Sequence, residues 1–87
     1  MIKKEYILKI ELGLHARPCS ALMGGLQKFN LDSTYLFWKD QKVNMRSIME
    51  TLTLSLTYLA TFNVEVSGAD EKKAIEFLDI LFNTVGL

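Results

Sequence analysis

The 87-residue sequence has one cysteine, one histidine, one proline and no net charge, and these shortages exclude several classes of protein. A single cysteine cannot form an internal disulfide, and one histidine beside it does not complete a zinc ligand set. A disulfide-stapled secreted scaffold and a zinc module are therefore excluded. Ten basic residues balance ten acidic ones, so we expect no electrostatic attraction to nucleic acid.

Long hydrophobic runs are also missing. The longest uncharged stretch, residues 51–64, is shorter than the roughly 20 apolar residues that a membrane-spanning helix requires. The N-terminal residues lack the apolar segment of a signal peptide. We expect a cytoplasmic protein that does not insert into a membrane. An apolar content of 49% is instead typical of a globular protein, here one domain spanning residues 1–87.

The first half of the chain predicts a strand followed by a helix. Apolar side chains alternate over residues 4–12, which indicates a half-buried strand that ends at Gly13. From about Ala16 the apolar residues recur at helical spacing, so the first helix begins there. Gly24 and Gly25 weaken that helix, and we expect either close packing against them or a locally loose helix.

The second half predicts three more strands and two more helices. Residues 34–38 are β-branched and aromatic, and residues 39–42 form a turn before Val43, so this region predicts a hairpin. The aromatic run is explained by sheet and core packing more readily than by a ligand platform. Residues 62–67 alternate and predict the last strand, and Asp70 is a suitable N-cap for a final helix.

The segment around Ser47 permits two interpretations. Leucines alternate with polar residues over 51–57, which by itself indicates a strand. Ser47 and Glu50 match a capping box, in which the serine hydroxyl accepts from the glutamate N–H and the glutamate carboxylate accepts from the serine N–H. We favour a short helix that ends near Thr53. The predicted fold is α+β, with three helices covering one face of a four-stranded antiparallel sheet.

The only histidine lies between the first strand and the first helix, in the stretch Gly-Leu-His-Ala-Arg-Pro of residues 13–18. A helix N-terminus carries unpaired N–H groups and partial positive charge, so it binds anions and disfavours imidazolium. Arg17 adds donors matched to phosphate oxygens. The combination predicts that the imidazole of His15 is phosphorylated. The alternative is that His15 is a polar loop residue and Arg17 a solvated charge.

Residues 13–18 resemble the active-site motif of the HPr family, the histidine-containing phosphocarriers of the bacterial phosphoenolpyruvate-dependent sugar phosphotransferase system. Residues 42–49 resemble the segment around that family's regulatory serine, and residues 67–71 resemble its approach to the last helix. The resemblance therefore extends over nearly the whole chain. It implies an open-faced β-sandwich of order βαββαβα, in agreement with the element order predicted from the sequence pattern.

The resemblance also implies roles for individual residues. His15 would accept a phosphoryl group on Nδ1 from phosphorylated enzyme I and pass it to the IIA domains of sugar permeases. Ala16 and Arg17 would bind the phosphate. The protein would then be a monomeric, stoichiometric carrier and not an enzyme, without a cofactor or metal.

A regulatory role is implied for Ser47, which falls where many family members are phosphorylated by the HPr kinase/phosphorylase. That modification recruits a transcriptional regulator of carbon catabolite repression, and Ile48 and Met49 would lie on the docking surface that these partners share. The helix-cap interpretation of Ser47 has equal weight, because a serine followed three residues later by glutamate is already explained as a cap. A phosphate at a helix N-terminus is favourable in itself, but Glu50 would oppose it.

Four residues depart from the family pattern: Leu12 is larger or less polar than usual, Glu50 is acidic, and Ser55 and Leu59 stand where glycine is common. These departures support an alternative function, an HPr-like regulatory binding module without sugar-transport flux. A third hypothesis is a thiol enzyme that uses Cys19. We favour a core position for Cys19, because it continues the apolar stripe of the first helix.

Overall fold

In the computed structural model of the chain, residues 1–9 and 16–83 are described, with Ala16 and Arg17 described as backbone only. The predicted order of strands and helices is confirmed. The elements are β1 (Ile2–Ile7), α1 (Ala16–Leu26), β2 (Ser33–Trp38), β3 (Gln41–Asn44), α2 (Ile48–Thr53), β4 (Thr61–Ser67) and α3 (Glu71–Asn83).

The four strands form one antiparallel sheet in the order β1-β4-β2-β3. Leu36 lies opposite both Val64 of β4 and Val43 of β3, and Tyr6 of β1 lies opposite Phe62. Because side chains alternate across a strand, these residues share the face that the helices cover. The predicted α+β fold, an open-faced β-sandwich with helices on one face, is confirmed.

The hydrophobic core lies between that face and the helices. Its largest aromatic cluster joins β1, β4 and α3: the ring centroid of Phe82 is 5.3 Å from that of Tyr6 and 4.9 Å from that of Phe62. Burial of such rings is a main source of stability in a domain of this size. The residues with no exposed surface are Leu8, Leu22, Leu26, Leu36, Met45, Phe62, Val64, Val66, Ala74, Leu78 and Phe82.

The first strand is shorter than the alternation predicts. β1 ends at Ile7, although Leu8 is still buried and its N–H donates to the carbonyl oxygen of Ala60 at 2.9 Å. The alternation of apolar residues therefore continues beyond the last residue paired in the sheet. Alternation reflects which side chains are buried, and a buried residue need not be paired with a neighbouring strand. The predicted end of the strand at Leu12 and Gly13 lies outside the described residues.

The hairpin turn is also shorter than predicted. Trp38 pairs with Gln41, so only Lys39 and Asp40 connect the strands, and β3 begins at Gln41. Lys39 has a φ of 55°, the left-handed conformation that tight hairpins require. Residues of the aromatic run alternate between the two faces of the sheet, so Leu36 is buried whereas Tyr35 and Phe37 are half-buried. The Lys42 ammonium lies 4.1 Å from the ring centroid of Tyr35 and 5.7 Å from that of Phe37.

Close packing explains one of the two helical glycines. A side chain at Gly25 would overlap the ring of Phe77, whereas a side chain at Gly24 would meet open space. The absence of a side chain at Gly25 leaves room for the ring of Phe77, through which α3 packs against α1. The centroid of the Phe77 ring lies 6.1 Å from that of Phe29. Of the two alternatives that the sequence left open, close packing applies at Gly25.

Asp70 precedes α3, as predicted, but its carboxylate binds a different segment. Oδ2 of Asp70 accepts from the N–H of Asn30 at 2.8 Å, and the Asp70 N–H donates to the Asn30 carbonyl oxygen at 3.1 Å. The carbonyl oxygen of Asp70 accepts from Ala74 and so opens the helix. Asp70 therefore fastens the loop after α1 to the start of α3.

Candidate functional site

The first candidate site is the beginning of α1. The helix starts at Ala16, the residue that follows His15 in the sequence, so the predicted helix start is confirmed. No acidic residue lies in its first turn, and the free N–H groups there have no carboxylate of their own helix to neutralise them. His15 and the side chains of Ala16 and Arg17 lie outside the described residues, so their roles stay predictions.

The second candidate site is the N-terminus of α2. Ser47 has φ −110° and ψ 112°, and its Oγ accepts a hydrogen bond from the N–H of Glu50 at 3.3 Å. An extended residue whose oxygen accepts from the third helical N–H is an N-cap. The predicted helix and its cap are confirmed.

The predicted return half of the capping box is wrong. The N–H of Ser47 donates to the carbonyl oxygen of Asn44 at 3.0 Å and not to the carboxylate of Glu50. Oε1 of Glu50 instead accepts from the N–H of Asn44 at 3.4 Å. The difference arises because the turn before the helix supplies a backbone acceptor for the Ser47 N–H.

Asn44 and Thr51 hold the backbone of Ser47 in place. Oδ1 of Asn44 accepts from the N–H of Arg46 at 2.9 Å and from the hydroxyl of Thr34 at 3.0 Å. The hydroxyl of the buried Thr51 donates to the carbonyl oxygen of Ser47 at 2.7 Å. The sequence pattern did not single out Thr51, whose helical spacing of four residues from Ser47 is the signal for this bond.

The outer surface of α2 carries two apolar side chains beside the exposed Glu50 and Thr53. Met49 is 79% exposed and Leu52 is 36% exposed, whereas Ile48 is half-buried and packs against the core. Of the two residues predicted to dock partners, Met49 is thus the more accessible. Leu52 was missed because its alternation with threonines resembles a strand pattern.

The loop after α2, residues 54–60, presents two more exposed apolar side chains. Tyr58 is 49% and Leu59 is 57% exposed. Ser55 and Leu59 have φ values of 57° and 67°, so both occupy the left-handed region that glycine adopts without strain. The departures from glycine noted in the sequence therefore fall on positions where the backbone favours glycine.

Cys19 belongs to the core and not to a reactive site. Its exposed fraction is 1%, and burial raises the pKa of its thiol to about 11. Little thiolate forms at neutral pH under these conditions, and thiolate is the nucleophilic form. The core interpretation of Cys19 is confirmed.

Residues 1–9 and 16–83 contain neither a metal-ligand cluster nor a helix that could span a membrane. No group of three or more histidine, cysteine, aspartate or glutamate residues is placed to hold a metal ion. Among those same residues, none of the helices has the length and apolar character needed to cross a bilayer.

Comparison with known proteins identifies the family. The model of the phosphotransferase system (PTS) HPr component phosphorylation site matches residues 2–84. Among solved structures, HPr-C-His from Thermoanaerobacter tengcongensis is 29% identical over 95% of this chain and 92% of that chain, with a TM-score of 0.88. The phosphocarrier HPr of Bacillus anthracis str. Ames, 22% identical, shares the fold at a TM-score of 0.85 over 93% of this chain and 95% of that one.

A third similar structure is that of a catabolite repression protein. The catabolite repression protein Crh of Bacillus subtilis, described as a domain-swapped dimer, is 25% identical with a TM-score of 0.75, over 95% of this chain and 94% of that chain. A family model that covers almost the entire sequence, together with this shared fold, establishes what the motifs suggested: the chain belongs to the HPr family of the phosphotransferase system.

Proposed function

We propose that the protein is a phosphocarrier that accepts a phosphoryl group on His15 from phosphorylated enzyme I and passes it to the IIA domains of sugar permeases. The Nδ1 lone pair of His15 forms a bond to phosphorus while the bond from phosphorus to the donor breaks. In the second transfer the P–N bond breaks and the acceptor takes the phosphoryl group. No phosphate is released to water, so the protein is a stoichiometric intermediate.

The observation that carries this proposal is the start of α1 directly after His15, with no acidic residue in the first turn. Free N–H groups at that end favour the phosphoryl oxygens. The backbone N–H of Ala16 and the guanidinium of Arg17 are the proposed phosphate-binding groups. We propose that residues 1–87 work as one monomeric cytoplasmic domain, with neither nucleic acid nor membrane insertion involved.

Phosphorylation by a defined donor tests the proposal. The protein is incubated with phosphoenolpyruvate and enzyme I of the same organism, and phosphorus NMR is recorded. We expect an acid-labile phosphohistidine signal that disappears in His15→Ala and persists in Ser47→Ala, the matched control. Absence of the signal from the unmodified protein contradicts the carrier function.

A second candidate function is regulatory binding controlled by phosphorylation of Ser47 by the HPr kinase/phosphorylase. It is supported by the structural similarity to Crh and by the N-cap position of Ser47 beside the exposed Met49. A catabolite-repression regulator would then dock on Ile48 and Met49.

Labelling and growth together distinguish the two functions. Kinase-dependent labelling of Ser47 and binding of the regulator, without growth on transported sugars when this protein is the only carrier, supports the regulatory module. Growth of that strain supports the phosphocarrier.

A further inference from the structure

The open face of the sheet, which lies away from the helices, presents two aromatic rings of β2. Tyr35 and Phe37 alternate with the buried Leu36, so both rings are on the open face. Their centroids are 6.4 Å apart. Trp38 packs against the core instead. Core packing therefore accounts for only part of the aromatic run, and two of its rings are available to a ligand.

Polar side chains of the neighbouring strands flank these rings. Glu65 of β4 lies opposite Tyr35, and Asn63 lies opposite Phe37. Lys42 of β3 lies opposite Phe37 on the other side. The register thus forms two rows across the open face, in the order of the strands: Glu5, Asn63, Phe37 and Lys42 in the first, and Lys3, Glu65 and Tyr35 in the second.

The polar groups next to the rings are free to bind a ligand. Within residues 1–9 and 16–83, four open-face side chains form neither an ion pair nor a side-chain hydrogen bond: Lys3, Glu5, Asn63 and Glu65. Lys3 and Glu65 remain unpaired although they lie opposite one another. On the helix side of the same strand, Lys4 is paired with Asp79 at 2.6 Å. The open face therefore has unused donors and acceptors beside its aromatic rings.

The ammonium of Lys42 lies over the rings, nearer to Tyr35 at 4.1 Å than to Phe37 at 5.7 Å. A cation–π contact at an exposed site is weak, and lysine has a flexible stem with rotatable donors. A ligand with acceptor oxygens can therefore draw the ammonium away from the ring, because a strong interaction is not lost.

We propose that this open face binds a neutral linear oligosaccharide, with the rings of Tyr35 and Phe37 stacked on the C–H faces of neighbouring sugar rings. The charge of the two rows is the argument for a neutral ligand, because two lysines balance two glutamates. A sugar hydroxyl both donates and accepts, so it satisfies an ammonium and a carboxylate alike. Glu65 and Asn63, which flank the rings, bind the hydroxyls.

The site differs from the proposed carrier function in its ligand and in its residues. Its side chains belong to the sheet alone, and no step involves His15 or a phosphoryl group. The rings lie on a sheet surface and not in a cleft, so the ligand keeps much of its contact with water. We therefore expect a Kd of about 1 mM.

Nuclear magnetic resonance titration of the full chain tests the inference. Cellotetraose and maltotetraose, two neutral linear glucose tetramers, are added separately to protein labelled with nitrogen-15. We expect saturable shifts of the amide signals of β2 and β4 with at least one tetramer. Tyr35→Thr should weaken that binding about tenfold, because a stacking ring is lost. Tyr58→Thr, which removes an exposed ring of the loop after α2, is the matched control and should leave the affinity unchanged.

A second variant separates stacking from general apolar contact. Phe37→Leu retains an apolar side chain and removes the ring, and it should also weaken binding. Threonine and leucine both occur in strands, and thermal unfolding should show that the variants are folded.

Three outcomes would overturn the inference. The first is the absence of saturable shifts with either tetramer, and the second is equal affinity of Tyr35→Thr and the unmodified protein. The third is a shift of the same amide signals with protein concentration in the absence of sugar, which would show that a second copy of the chain covers the face.

Discussion

The phenol of Tyr6 donates a hydrogen bond to Oδ1 of Asp79 at 2.7 Å, which joins the edge strand β1 to α3. The ammonium of Lys4 contacts the same oxygen at 2.6 Å. The hydrogen bonds from Lys4 and Tyr6 lower the pKa of Asp79. Burial, followed by the contact with Asp79, raises the pKa of Tyr6.

Replacement of Asp79 should remove part of the acid sensitivity of the protein. The folded-state pKa of Asp79 lies below that of the unfolded chain, so its contribution is present above about pH 4 and is lost as the pH falls through the folded value. Asp79→Asn should therefore lower the urea midpoint at pH 7 by more than it does at pH 2. Asp40→Asn in the exposed hairpin turn is the control. An equal decrease of the urea midpoint at both pH values would contradict the expectation.

Replacement of Tyr6 should act at the alkaline end. Because the folded-state pKa of Tyr6 is raised, its contribution is complete below about pH 10 and is lost as the pH rises towards the folded value. Tyr6→Phe should cost about 1 kcal/mol at pH 7 through the lost hydrogen bond. The difference from the unmodified protein should shrink above pH 10, as followed by urea unfolding. Tyr35→Phe, on the open face of the sheet, should show no such change.

The two glycines of α1 should respond to alanine with opposite signs. Gly24→Ala should stabilise the protein by about 0.5–1 kcal/mol, because alanine favours the helix and meets open space. Gly25→Ala should destabilise it by about 1 kcal/mol, because the methyl group displaces the ring of Phe77. Thermal unfolding of both variants measures the difference, and equal shifts would show that the ring moves away without cost.

Glycine at the strained loop positions should raise stability. Ser55 and Leu59 have φ values of 57° and 67°, and relief of that strain outweighs the added flexibility of the unfolded chain. We expect a gain of about 0.5–1 kcal/mol for Ser55→Gly and a smaller gain for Leu59→Gly, since leucine retains some packing. The measurement is the midpoint of urea unfolding. A loss of stability in Ser55→Gly would show that the loop is not strained there.

The helix cap at Ser47 should be separable from any modification of this residue. Ser47→Ala should cost about 0.5–1 kcal/mol, because the N–H of Glu50 loses its acceptor. Ser47→Asp retains a capping oxygen and should be close to the unmodified protein in stability. Equal stability of the alanine variant, measured in urea, would mean that the cap contributes nothing.

The order of the elements was predictable because each one has a local signal. The helical spacing from Cys19 onwards places α1, and the serine at position 47 places α2 in spite of the alternating leucines around Leu52. Their ends were less predictable. β1 stops at Ile7 although the apolar alternation continues, since the period reports burial and not pairing.

The residues of the candidate site also differ in whether the sequence predicted them. The motif around His15 and the position of Ser47 were recognised from the sequence, because both depend on residues close together in the chain. The exposed pair of Tyr58 and Leu59 was not recognised as a surface, since an apolar residue predicts burial unless the fold exposes it.

The amino-acid sequence by itself determined the alternation of strands and helices, the starts of α1 and α2 and the membership of the family, because periodicity, capping and short motifs act over a few residues. The tertiary structure decided which glycine is in contact with Phe77, that Asp79 joins Lys4 and Tyr6, and that Leu59 is held with positive φ. Those properties depend on contacts between residues far apart in the chain, and local preference carries no information about such distances.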